Sequence, residues 1–269
     1  MKNLLCRPLL AKELRANWKL AALFAGVLTL YSVIIIGMFD PALGESLEQM
    51  AQSMPQLFAA FGMANAGATL LDFMLNYLYG FLFQVFPLVL TLLLVHRLLV
   101  RYADRGSLAW LLAQPVPRRT LACTQIAALG LYQLVLTAYL TVLCVGAAGA
   151  MFPGELDVAA LLAVNVGLVG LHLMLAGVCW LGACVFAGGR LALGSGGGLC
   201  VLFLLVQMLS QVGEQTEWMR YLTPLTLFDP AAIAAGQAGA LWQAAAMYAA
   251  AAVLFGAGTA VFTRRDLSL

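Results

Sequence analysis

Six long apolar runs, at about 20–38, 73–99, 121–148, 158–186, 191–212 and 241–262, constrain this chain more than any other feature. Each reaches or exceeds the roughly 18–20 residues a helix needs to cross the hydrocarbon of a bilayer. The rest of the composition offers no alternative. Only 10% of the 269 residues are charged, against about 25% in an ordinary soluble domain, and the mean hydropathy is +0.95. A water-facing surface cannot be assembled from that supply. The expected fold is an all-α polytopic membrane protein: one transmembrane domain over 1–269 with six transmembrane helices.

Between the runs, the pattern predicts smaller helical elements. Residues 1–19 hold Lys2, Arg7, Lys12, Arg15 and Lys19 against the single acid Glu13, with Trp18 at the edge of the first run. This reads as an interfacial helix on the headgroups, the alternative being a basic tail. No small-residue cleavage site follows the first run, which is expected to stay as an anchor. In 42–62, Leu43, Leu47, Met50, Met54, Leu57 and Phe61 recur at helical spacing among acids and amides, as in an amphipathic surface helix. Pro87 should kink the second span. Residues 213–235 mix Glu214, Glu217, Trp218, Arg220, Pro224, Asp229 and Pro230, and read as an outer-surface element that dips back toward the bilayer.

Charge tests this arrangement. With six spans, thirteen of the fourteen basic residues fall on the side of the termini, and only Arg220 lies opposite. Nine of the twelve acids lie opposite, leaving Glu13, Asp104 and Asp266 with the basic residues. Positive charge accumulates on the cytoplasmic side of membrane proteins, so both termini are expected there.

Catalytic chemistry is not indicated. His96 and His172 sit on different spans; the expected state of the mid-span His172 is a neutral imidazole bonded to a neighbouring helix. Cys6, Cys123, Cys144, Cys179, Cys184 and Cys200 show no C-x-x-C spacing and read as packing residues rather than metal ligands. Gly194 to Gly198 lacks the Lys-Ser/Thr ending of a phosphate loop and suits close helix packing, as do Gly167, Gly170 and Gly177. No nucleotide site is expected in this chain. Polar residues do recur on helical faces. Gln125, Tyr132 and Tyr139 are spaced by seven, as are Asn165, His172 and Cys179, with Asn76, Tyr79 and Gln84 on the second span. Such stripes serve either as hydrogen bonds between helices of one protomer or as the lining of a substrate path.

The stretch Arg97–Thr120, RLLVRYADRGSLAWLLAQPVPRRT, lies between the second and third runs and carries five of the basic residues. Gly106 breaks the preceding helix and Ser107 is placed to cap a short helix through Ala113. Asp104 lies near the positive end of that helix, Leu108, Leu111 and Leu112 form an apolar edge beside Trp110, and Pro115 and Pro117 end it before Arg118. On physical grounds this is either a lever for a soluble partner or a basic loop resting on lipid.

The order of features is distinctive. A basic N-terminal helix with an acid (Ala11-Lys12-Glu13-Leu14-Arg15) is followed by six spans. Between the second and third comes acid-basic-Gly-Ser, then Leu-Leu-Ala-x-Pro-Val-x-Arg, and the chain ends Phe-x-x-Arg-Asp-Leu. It resembles the permease subunit of ABC-2 type ABC transporters, mostly bacterial exporters. The likeness covers the chain in architecture and is sharpest over Asp104 to Arg119. The family has Glu at the position of Asp104 and Ser-Arg at Pro117-Arg118.

The resemblance implies a homodimer in the bacterial cytoplasmic membrane, paired with two copies of a separate cytoplasmic ATPase that holds ATP and Mg. Gly106 to Gln114 becomes the coupling helix, hinged at Asp104, Arg105 and Gly106, with the interfacial helix beside it. Lipid and protein are the expected partners, not nucleic acid, and this chain is expected to bind no cofactor. A largely apolar path suits an amphipathic or lipophilic substrate such as a drug, peptide or lipid-like molecule. The alternative is a non-transporting scaffold or regulator that docks a cytoplasmic partner through 101–119.

Overall fold

The computed structural model describes residues 5–40, 53–54, 69–104, 116–186, 189–212 and 214–264. Among these every regular element is helical. The long helices are α1 (Arg7–Gly37), α2 (Leu70–Val100, continued by a turn at Arg101–Asp104), α3 (Arg118–Met151), α4 (Val158–Val185), α5 (Gly189–Ser210) and α6 (Ala238–Arg264). Five of them, all but α5, are long and apolar enough to cross a membrane; in α5 the apolar stretch is Gly194–Ser210. The helix ends lie within a few residues of those expected from the apolar runs, except at the N-terminus.

There the expectation of a separate interfacial helix over 1–19 is corrected: Arg7–Gly37 is a single helix of 31 residues. The physical reason is in the residues. Pro8 occupies the first turn, where its missing N–H costs nothing, and no further proline or glycine occurs before Gly26. Arg7, Lys12, Arg15, Trp18 and Lys19 are exposed, as an interfacial position requires. Glu13 is not: Leu9, Glu13 and Asn17, four apart on one face, are all buried against the bundle.

Cross-helix contacts set the directions. Cys6 N bonds Thr124 Oγ1, Tyr132 Oη donates to Leu14 O, and Thr29 Oγ1 bonds Tyr139 Oη, so α1 and α3 run parallel. Tyr102 reaches Glu13 while Phe73 stacks on Phe39, so α2 runs against α1. Contacts of α2 and α6 with α4 place those three in parallel, and Cys200 against Leu175 with Gly196 against Gly182 sets α5 antiparallel to α4. The described helices therefore begin (Arg7) and end (Arg264) at the same end of the bundle. We refer to it as the basic end and to the other as the acidic end.

At the acidic end three of the acids sit at helix starts. Asp157 Oδ1 accepts from Ala160 N at the start of α4, Asp229 Oδ1 accepts from Ala232 N at Pro230–Ala234, and Thr69 caps α2 with Asp72 in its first turn. Each places negative charge against a helix N-terminus. Gly154 (φ +85°) and Gly236 (φ +66°) form the tight turns ahead of α4 and α6 in a left-handed conformation that suits glycine.

α4 is the central helix, buried on nearly every face, whereas α1, α3 and α6 expose apolar rows such as Leu23, Leu30 and Ile34, or Val135 and Val142. Its glycines set the spacing. A Cβ at Gly170 would sit 2.9 Å from Tyr248, and one at Gly177 would sit 2.8 Å from Leu254, both on α6. Between α5 and α6 the chain forms 3-10 turns at Glu214–Leu222 and Pro224–Leu227 and the short helix Pro230–Ala234. Phe228 and Ile233 are buried against Gly167, nine residues or about 14 Å into α4. This segment thus reaches well below the start of α4, while Trp218, Tyr221 and Leu222 remain exposed.

Candidate functional site

Two polar assemblies are built into the apolar bundle. The first surrounds the middle of α2. Pro87 lacks the N–H that would bond the carbonyl of Phe83, and π-helical turns at Leu75–Leu82 and His96–Val100 loosen the ladder on either side. Side chains make up the loss. His172 Nε2, from α4, lies 2.8 Å from Phe83 O; since a carbonyl only accepts, Nε2 carries the proton. Gln84 Nε2 donates to Tyr79 O at 2.9 Å. From α3, Gln133 Nε2 donates to Pro87 O at 3.1 Å and also bonds Thr91 Oγ1, which itself donates to Pro87 O. Tyr79 Oη donates to Asn165 Oδ1 at 2.9 Å, joining α2 to α4. All these side chains are buried, where hydrocarbon offers no competing partner.

The second assembly ties the basic ends of α1, α2 and α3 together. Glu13, only 2% exposed, accepts from Tyr102 Oη at 2.6 Å, and Lys12 Nζ lies 3.3 Å from the same hydroxyl and 5.4 Å from the ring centroid. The ammonium therefore contacts both the phenol and its π-face. Asn17 Nδ2 donates to Glu13 O, Arg97 Nη1 approaches Asn17 Oδ1 at 3.5 Å, and Tyr132 Oη on α3 donates to Leu14 O at 2.7 Å. Burial, and next the hydrogen bond from Tyr102 to Glu13, raise the Tyr102 phenol above its ordinary value, so it stays protonated and donating.

Of the sequence-derived coupling residues, Arg105, Gly106, Ser107, Leu108, Trp110, Leu111, Leu112 and Pro115 lie outside the described residues, as does the amphipathic helix expected over 42–62 apart from residues 53–54. Asp104 closes the last turn of α2 and Arg118 opens α3, so the described flanks of that stretch both belong to clasped helices. Among the residues proposed for a substrate path, Tyr79, Gln84, Asn165, His172, Tyr132 and Tyr139 all make the hydrogen bonds within the chain given above, Tyr139 through Thr29. Gln125 is buried on α3, and Asn76 is half-buried in the first π-turn.

Gln133, Thr91, Asn17 and Tyr102 belong to these assemblies although no sequence motif marks them. Pro87 was the available signal, because an intramembrane proline leaves a carbonyl that some neighbour must satisfy. Of the cysteines, Cys179 and Cys200 are not joined by a disulfide, but their Sγ atoms lie within hydrogen-bond distance at 3.6 Å, between α4 and α5. Among the described residues no group of three or more His, Cys, Asp or Glu is placed to hold a metal ion. Compared with protein-family models, curated proteins and solved structures, the chain matches none.

Proposed function

We propose that this chain is the membrane-spanning permease subunit of an ATP-driven ABC exporter of the ABC-2 type. On this reading α5 crosses the bilayer with the other five helices, the basic end faces the bacterial cytoplasm, and two copies pair with two cytoplasmic ATPases that hold ATP and Mg. The observation that carries it is the buried Glu13–Tyr102 clasp. It fastens the basic start of α1 to the last turn of α2, at the root of the segment expected to form the coupling helix. A short helix over 106–114, anchored between that turn and the start of α3, would pass a push from an ATPase into three spans together. A loop that merely rests on lipid has no need of a buried carboxylate at its root.

Alternating access follows. ATP closes the partner subunits, the coupling helix moves as a rigid piece, and a path between the two permease copies opens outward for an amphipathic or lipophilic substrate. The polar side chains of the α2 belt are engaged within the chain, so a path at the dimer axis would be mostly apolar.

The test is association. Replacing Leu108, Leu111 and Leu112 together with Asp is expected to abolish co-purification of the ATPase encoded beside this chain, while the variant still elutes as a folded species in detergent. Persistent association would sink the coupling-helix assignment. The absence of any adjacent ATPase gene would favour a docking scaffold.

A further inference from the structure

We infer that the groove between the basic ends of α3 and α6 is a binding site for the headgroup of an anionic phospholipid. The groove encloses about 450 Å³, a volume typical of ligand sites. Its mouth carries two exposed guanidiniums, Arg119 from the first turn of α3 and Arg264 from the last turn of α6. Among the described residues neither is paired with a carboxylate.

Deeper in, the wall becomes apolar. Ile126 lies seven residues along α3 from Arg119 and Phe255 nine along α6 from Arg264, roughly 10 and 14 Å by helical rise. Positive charge at the mouth over an apolar floor matches an anion with a hydrocarbon tail rather than a free ion. Small residues hold the groove open toward the bilayer: Gly256 and Ala260 line it and are exposed, and a Cβ added at Gly256 would meet no atom within 4 Å. The position, at the end of two membrane-crossing helices, is headgroup depth, where lipid is the abundant source of such an anion. This inference does not depend on the transport function proposed above.

Cys123 lines the groove and is a built-in reporter, and Cys6, at the same end just ahead of α1 and outside the groove lining, is its internal reference. The intact protein is placed in nanodiscs of phosphatidylcholine alone or with roughly 20% phosphatidylglycerol, and alkylation by N-ethylmaleimide is followed by peptide mass. The Cys123/Cys6 rate ratio is expected to fall several-fold in the anionic bilayer. With both arginines changed, Arg119→Gln and Arg264→Gln, that fall should vanish; each arginine alone is worth roughly five-fold in lipid occupancy. Should the double variant fail to assemble, either single variant reads the same effect. An unchanged ratio in the native protein, or an equal fall in the variants, would overturn the site. Protection of Cys123 in detergent by inorganic phosphate without lipid would overturn the lipid assignment in favour of a free anion.

Discussion

Pro87 and His172 illustrate how single residues in lipid answer for one another. The ring of Pro87 deprives Phe83 O of its helical donor, and the imidazole of His172 supplies one from a different helix. His172→Leu leaves that carbonyl without this donor inside the bilayer and should cost about 1–3 kcal/mol of stability in a denaturant titration. In a Pro87→Ala background the backbone N–H returns, so most of that cost should disappear. An equal cost in both backgrounds would mean that the imidazole does not act by satisfying the carbonyl.

Tyr102 is the second residue with a measurable signature. Burial, then the hydrogen bond to Glu13, place its folded value above the ordinary 10.0 of the unfolded chain. A raised value means that the contribution is complete below pH 10 and is lost as pH rises through the folded value. Native protein should therefore lose more stability than Tyr102→Phe as pH rises above 10. Parallel losses would remove the phenol from the account. Glu13→Gln should be milder than Glu13→Leu at neutral pH, because the amide oxygen still accepts from the phenol.

At the level of elements, the helix pair α4–α5 depends on the absence of side chains. A Cβ at Gly196 would stand 2.7 Å from Cys179 Cα and 3.0 Å from its carbonyl oxygen, both backbone atoms that cannot swing aside. Two residues on, Gly198 faces open space. Gly196→Ala should therefore force the helices apart at a cost of about 1–3 kcal/mol, while Gly198→Ala should be neutral or slightly stabilising through helix propensity. Thermal unfolding of the two variants in the same detergent separates them. The glycine run was legible in the sequence as packing; which of its four glycines touch a neighbour was not, since that depends on the rotation of α5 about its own axis. The π-turns of α2 were equally hidden, because apolar periodicity does not register one extra residue in a turn. The continuity of α1 is hidden in the sequence for a related reason. Its basic residues suggested a surface segment, but they occupy only its outer face, while Leu9, Glu13 and Asn17 turn inward.

For the whole molecule, the number of long helices and, apart from the start of α1, their approximate bounds followed from hydropathy alone, because lipid permits few alternatives. Charge along the chain foretold which ends of the helices gather together, and two of the acids opposite, Asp157 and Asp229, are helix caps. The sites were less legible. Tyr102 bonding Glu13 spans 89 positions in the chain, and Arg119 and Arg264 line one groove only because the first turn of α3 lies near the last turn of α6. No local pattern announces such pairs.

The unbroken course of α1 has a mechanical consequence. Its 31 residues make a rod of roughly 46 Å, longer than the ~30 Å of hydrocarbon it crosses. One end is gripped at Glu13 and Asn17 by α2, and the other abuts the turn after α3, where Phe39 meets Phe152 edge to face. Pivoted at mid-membrane, such a rod tipped by about 10° carries each end through about 4 Å in opposite directions. A joint between a surface helix and a span would have absorbed that displacement; a stiff beam delivers it to the far leaflet.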